Sequence, residues 1–133
     1  MSHSFEDIFW RDLGAEEMRY LREKGFYLSL EEGEVIFRKG ERCVGVFLVI
    51  SGEVDLFDLN GGGQDVHIRT LSLGMVLGEM GTFGSRPCEY TARAKTLVQL
   101  FKLERNALES LASHNPRAAG QVFVNVIKIM AKG

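Results

Sequence analysis

Short apolar segments separated by glycine turns run through the middle of this chain, at about ten residues per segment and turn. That rhythm constrains the fold more than any other feature. Val35-Ile36-Phe37 lies between Gly33 and Gly40, and residues 46–50 end at Ser51-Gly52. Residues 54–59 end at Asn60-Gly61-Gly62-Gly63, and residues 66–73 end at Gly74. Segments this short, joined by turns this tight, cannot carry crossover helices. They read as an antiparallel sandwich or roll. Glycine supplies 15 of the 133 residues and proline only 2, without a Gly-X-Y period, which excludes collagen.

Helical spacing frames the strands. Ser4 is placed to cap a short turn holding Ile8, Phe9 and Trp10, which Gly14 interrupts. A second helix from Ala15 sets Met18 and Leu21 on one face and is expected to stop at Lys24-Gly25, with glycine as the left-handed terminal residue. Phe26, Leu28 and Leu30 then alternate with Tyr27 and Ser29, as in a half-buried strand. Residues 75–87 carry glycine at 78, 81 and 84 and read as a structured loop, too glycine-rich for a stable helix. Strands are expected at 88–94 and 97–103. Leu108 and Leu111 fit a short helix, and Asn115-Pro116 is a good start signal for a last one. In that last helix Ala119, Val122, Phe123, Val126, Ile127 and Met130 keep helical spacing; the stripe is wide enough to pack on the roll, the favoured reading, or to form a two-fold seam between copies. The expected fold is therefore mainly β, an antiparallel β-roll resembling a double-stranded jelly roll, with α-helices at both ends. A single domain over 1–133 divides into N-terminal helices (1–25), roll (26–103) and C-terminal helices (104–133).

Composition removes several function classes. The chain is 45% hydrophobic and 26% charged, which suits a closed core rather than disorder. A net charge of -2 offers nothing to recruit nucleic acid or an anionic membrane. The longest apolar stretch, 44–50, is far short of the roughly 20 residues that span a bilayer. The acidic N-terminus lacks the features of a signal peptide, so a cytoplasmic location is expected. Cys43 and Cys88 read as free thiols in a reducing compartment. His3, His67 and His114 are too scattered for a metal site, and neither a nucleophile elbow nor a Walker loop is present, so neither an enzyme nor a cofactor is expected. Gly61-Gly62-Gly63 reads as a hairpin turn.

Three stretches together resemble a known family. They are Leu30-x-x-Gly33-Glu34-x-Ile36-x-x-x-Gly40-Glu41, Phe47-x-Val49-Ile50-Ser51-Gly52-Glu53-Val54, and Gly74-x-x-x-Gly78-Glu79-Met80. The chain resembles the cyclic-nucleotide-binding domain of CRP/FNR regulators, protein kinase A regulatory subunits and cyclic-nucleotide-gated channels. That resemblance implies a phosphate-binding cassette over 78–91 and cAMP or cGMP as ligand. The residues implied at the ligand are Gly78, Glu79, Met80, Gly81, Arg86, Cys88, Glu89, Tyr90 and Thr91, with Glu79 accepting from the ribose 2′-hydroxyl. Where the family has an arginine to pair with the phosphate, this chain reads Cys88. A small or hydroxyl residue is replaced by Glu89, and the usual alanine by Tyr90. Arg86 is the nearest substitute cation. The resemblance also implies a sensor that moves its C-terminal helix and signals to a protein partner or fused effector domain. It implies neither DNA binding by this chain alone nor a membrane role. The alternative is a roll that has lost its effector and serves as an interaction or homodimerisation domain through the last helix.

Overall fold

The computed structural model describes residues 8–132, so the proposed Ser4 cap and His3 lie outside the described part. Helix α1 (Ala15–Lys24) leads into eight strands: β1 (Phe26–Leu30), β2 (Val35–Phe37), β3 (Gly45–Ser51), β4 (Val54–Leu59), β5 (Asp65–Leu71), β6 (Val76–Leu77), β7 (Thr91–Ala94) and β8 (Val98–Glu104). Helix α2 (Glu79–Gly84) sits between β6 and β7, and α3 (Arg105–His114) and α4 (Pro116–Lys132) follow β8. Two four-stranded sheets, ordered β1-β8-β3-β6 and β2-β7-β4-β5, face each other with every pairing antiparallel. The mainly β roll with helices at its ends matches the reading of the glycine rhythm. The triple glycine forms the β4–β5 hairpin turn, where Asn60 N–H donates to Gln64 O at 2.9 Å and Gly63 N–H to Asn60 O at 3.0 Å.

The central strands of the first sheet, β3 and β8, are buried on both faces. Along β3, Phe47 and Val49 point into the roll beside Leu56, Leu77 and Leu100. Val46 and Leu48 point the other way, against Leu21, Leu111, Val122 and Val126 of the helices. That explains the unbroken apolar run at 46–50, which a one-sided strand would not have. β5 lies at the edge of the other sheet and is exposed along most of its length.

Several sequence expectations need correction. Gly25 is extended (φ -89°), not left-handed. Its requirement is space, because a Cβ there would lie 2.4 Å from the Phe101 ring. β1 is not half-buried: Phe26, Tyr27 and Leu28 are exposed, since this edge strand pairs only with β8 and few side chains cover it. Tyr27 still rests on Phe101, ring centroids 4.9 Å apart. The strand expected at 88–94 begins at Thr91, and the loop at 75–87 contains both β6 and α2. The last helix does pack on the roll, but through Ala118, Val122, Asn125, Val126 and Ile129; Phe123, Ile127 and Met130 are 45%, 48% and 40% exposed.

Two polar ties hold the helical layer. Glu17 accepts from Gly14 N–H at 2.7 Å, Asn115 Nδ2 at 2.6 Å and Arg117 Nη2 at 2.7 Å, joining α1 to the α3–α4 corner. Asn125 is fully buried. Its amide donates to Phe9 O at 3.0 Å and Arg11 O at 2.8 Å, and it accepts from Gln121 Nε2 at 2.9 Å. Removing one partner of a buried polar set costs about 1–3 kcal/mol. Asn125→Ala is therefore expected to lower unfolding stability by about 2 kcal/mol in urea titration, with an unchanged m-value.

Candidate functional site

The cassette is shaped by close approach. Gly78 turns the chain at φ +80°, and a Cβ there would lie 2.7 Å from Gly45 O. One turn later a Cβ at Gly81 would lie 2.5 Å from the Cβ of Cys43. The glycines that made residues 75–87 look too loose for a helix are what lets α2 settle onto β3. Arg105, the first residue of α3, fixes its far end: Nε donates to Thr82 O at 3.0 Å, and Nη2 to Cys43 O at 3.1 Å and Gly81 O at 3.3 Å.

Two cavities divide the candidate residues. Gly78, Met80, Gly81, Cys88, Glu89 and Tyr90 surround a void of about 10 Å³ with Phe37 and Cys43, room for about one water. Tyr90 closes it: its hydroxyl oxygen accepts from Gly78 N–H at 3.1 Å and its ring lies 5.6 Å from that of Phe37. Burial, then the Glu79 charge, pushes the Tyr90 phenol upward, so it stays protonated. Cys88 is buried, and burial together with the neighbouring Cys43 thiol pushes its own thiol up to about 12. It supplies no charge and is a poor nucleophile. Cys43 Sγ donates to Gly78 O at 3.2 Å.

A second cavity, of about 230 Å³, is the larger of the two. Leu56, Ile68, Leu71, Met75 and Val76 wall it, Ile129 and Met130 of α4 border it, and Arg69, Glu79 and Tyr90 supply its polar groups. Glu79 is only 8% exposed, and its Oε2 has no hydrogen-bond partner among the described residues. Burial raises its carboxyl above the ordinary range, its own backbone N–H lowers it, the Glu89 charge raises it and Arg69 lowers it.

Arg86 and Thr91 line neither cavity. Arg86 is exposed and lies 3.6 Å from Glu89. Thr91 Oγ1 accepts from Lys39 N–H at 3.0 Å, tying β7 to the β2 end. Sequence reasoning missed Arg69, Met75, Ile129 and Met130. Arg69 becomes legible only once β4 and β5 are in register, which sets it opposite Leu56.

An ionised carboxylate whose burial outweighs its favourable neighbours opposes folding. The folded-state value of Glu79 is raised, so stability should fall as pH rises from the ordinary carboxylate range through that value. Glu79→Gln is expected to raise the melting temperature near pH 7 by about 4 °C, for a gain of about 1 kcal/mol. It should also flatten the decline between pH 4 and pH 7, as scanning calorimetry across that interval would read.

Comparison with known proteins agrees with this geometry. The pattern of the cyclic nucleotide-binding domain family matches residues 27–115. The potassium channel AKT2 of Oryza sativa subsp. japonica is 31% identical over 83 residues, 62% of this chain and 10% of the channel. The chain thus spans about a tenth of the length of such relatives. A cyclic nucleotide-binding domain from Methylobacillus flagellatus superposes with TM-score 0.86 at 20% identity, covering 96% of this chain and 75% of that one. The regulatory subunit of a cAMP-independent protein kinase A from Trypanosoma brucei superposes with TM-score 0.78 at 24% identity, covering 97% and 45%. A triple mutant of that protein, one change being threonine to arginine, is bound to cAMP in its A site. Among the described residues no helix is long and apolar enough to cross a membrane. With a matching pattern over two thirds of its length and the roll with its flanking helices in place, this chain belongs to the cyclic nucleotide-binding domain family.

Proposed function

We propose that the chain is a regulatory module whose effector site is the cavity beside Glu79, and whose cassette is turned away from cyclic phosphate. The observation that supports this is the closed end of the cassette: Cys88, at the position where the resemblance implies an arginine, surrounds with Glu89 and Tyr90 a void of only about 10 Å³. A carboxylate ~4 Å from a phosphate repels it by about 1 to 4 kcal/mol, for effective dielectrics of 80 down to 20. Losing a charged partner from a largely desolvated site costs roughly 2 to 5 kcal/mol more. Together these would weaken a micromolar site by several powers of ten. The Trypanosoma protein supports the reading by parallel: it is cAMP-independent, and an arginine-containing mutant of it is seen with cAMP.

The relay would run through α4. Ile129 and Met130 border the cavity, while Phe83 of α2 meets Phe123 of α4 edge to face at 5.0 Å. A ligand that shifts α2 or lifts the end of α4 must repack that contact, and a protein partner or fused effector domain could read the change. The cation at Arg69 would suit an effector with an acceptor edge, and Glu79 one with a hydroxyl or amine donor.

Titration calorimetry tests the cassette account. With the wild-type chain, neither cAMP nor cGMP is expected to saturate below millimolar concentration. Cys88→Arg combined with Glu89→Ser and Tyr90→Ala is expected to bind at least tenfold more tightly. Micromolar binding by the wild type, or a folded triple variant that gains nothing, overturns it.

A second reading has its own observation. Phe123, Ile127 and Met130 form an exposed apolar stripe along α4, which suits an interaction or homodimerisation domain. Sedimentation velocity decides: a dimer that Phe123→Lys dissolves supports it, and a monomer in both chains removes it.

A further inference from the structure

A cleft that shares no lining residue with the Glu79 cavity lies between the end of α2, the segment before β3 and the start of α3. It encloses about 310 Å³ and is lined by Gly40, Arg42, Ser85, Arg86, Pro87 and Arg105. Three of those residues are arginines and none is an acid. Adjoining it is a hollow of about 500 Å³ that shares Arg42, Ser85 and Arg105 and brings in Glu104 and Glu109.

The charges do not cancel on the arginine side. Arg105 is held by three carbonyl oxygens, which orient its guanidinium without neutralising it. Neither Arg42 nor Arg105 has an ion-pair partner among the described residues. Arg86 has only the exposed Glu89 at 3.6 Å, a contact of little strength in water. Of the two acids in the adjoining hollow, Glu104 faces Lys102 at 3.9 Å. Arg105 also opens α3, a ten-residue helix; Glu104 occupies the cap position without a side-chain capping bond, Arg105 N–H donates to Val44 O at 2.7 Å, and the first turn holds no acid. Helices ordinarily place acids there to offset the dipole. Three arginines thus line one small opening beside the helix start.

We propose that this cleft binds a phosphate-class dianion, either inorganic phosphate or the phosphate of a small monoester. The Arg42 guanidinium can match two phosphate oxygens, Arg105 adds charge and its remaining Nη1 donors, and a dianion offsets the three cations lining the cleft. The acids in the adjoining hollow confine it to the Pro87 side. Because Arg105 grips the last turn of α2, an occupant would bear directly on the cassette from behind.

Thermal denaturation with sodium phosphate against sodium chloride at matched ionic strength tests the proposal, with glycerol 3-phosphate as a third arm. Phosphate is expected to raise the melting temperature saturably where chloride does not. Arg42→Gln, an exposed position without an ion pair, should weaken phosphate at least tenfold, while Arg69→Gln in the other cavity should leave it unchanged. Phosphorus NMR line widths provide a second measure on the same variants. Saturation by glycerol 3-phosphate as well assigns a monoester, and saturation by phosphate alone assigns the free ion; either supports the site. Absence of saturation, its persistence in Arg42→Gln, or its loss in Arg69→Gln overturns it.

Discussion

Burying the central strands of one sheet on both faces is the constraint from which the rest of this structure follows. β3 and β8 must satisfy two cores at once, the roll interior through Phe47, Val49, Val98 and Leu100, and the helical layer through Val46, Leu48, Phe101 and Leu103. Each core takes part of its lining from both of these strands. Closing the roll therefore requires the helices to be in place, and the helices have no apolar surface to rest on until β3 and β8 pair. This coupling gives the C-terminal helix a reason to lie beside the pocket at all.

The turns were legible because their chemistry is local. The β4 bounds, the Asn60 hairpin and the Asn115-Pro116 start of α4 follow from residues within a few positions of each other, and Asn115 Oδ1 does accept from Ala118 N–H at 3.1 Å. What stayed hidden depends on distant partners. Gly25 looked like a helix stop because glycine often is one; the reason it is glycine sits in β8, at Phe101. Phe26 and Leu28 alternate like a buried strand, but alternation cannot say whether anything covers the buried side. Asn125 is inconspicuous in the sequence, because the two carbonyls its amide pairs with lie more than a hundred residues away.

The candidate site divides along the same line. Glu79, Cys88, Glu89 and Tyr90 were visible because they occupy one continuous segment whose pattern can be compared position by position. Arg86 belonged to that segment too, yet its direction is set by the left-handed turn at Ser85 (φ 54°), and it leaves the pocket for Glu89. Arg69 and the Arg42–Arg105 pair come from separate strands and helices that share no motif. Their meaning exists only after folding, and each changes the charge of the opening it borders.

Asn125 has one more effect. Its amide is pinned to the carbonyls of Phe9 and Arg11, while Ile129 and Met130, which border the cavity, lie four and five residues beyond. The helix is therefore held at its middle by bonds to a segment more than a hundred residues earlier, and the buried Val126 and Ile129 carry that hold into its last two turns. Drawing Ile129 or Met130 away from the cavity must either leave those buried bonds in place or strand polar groups without partners.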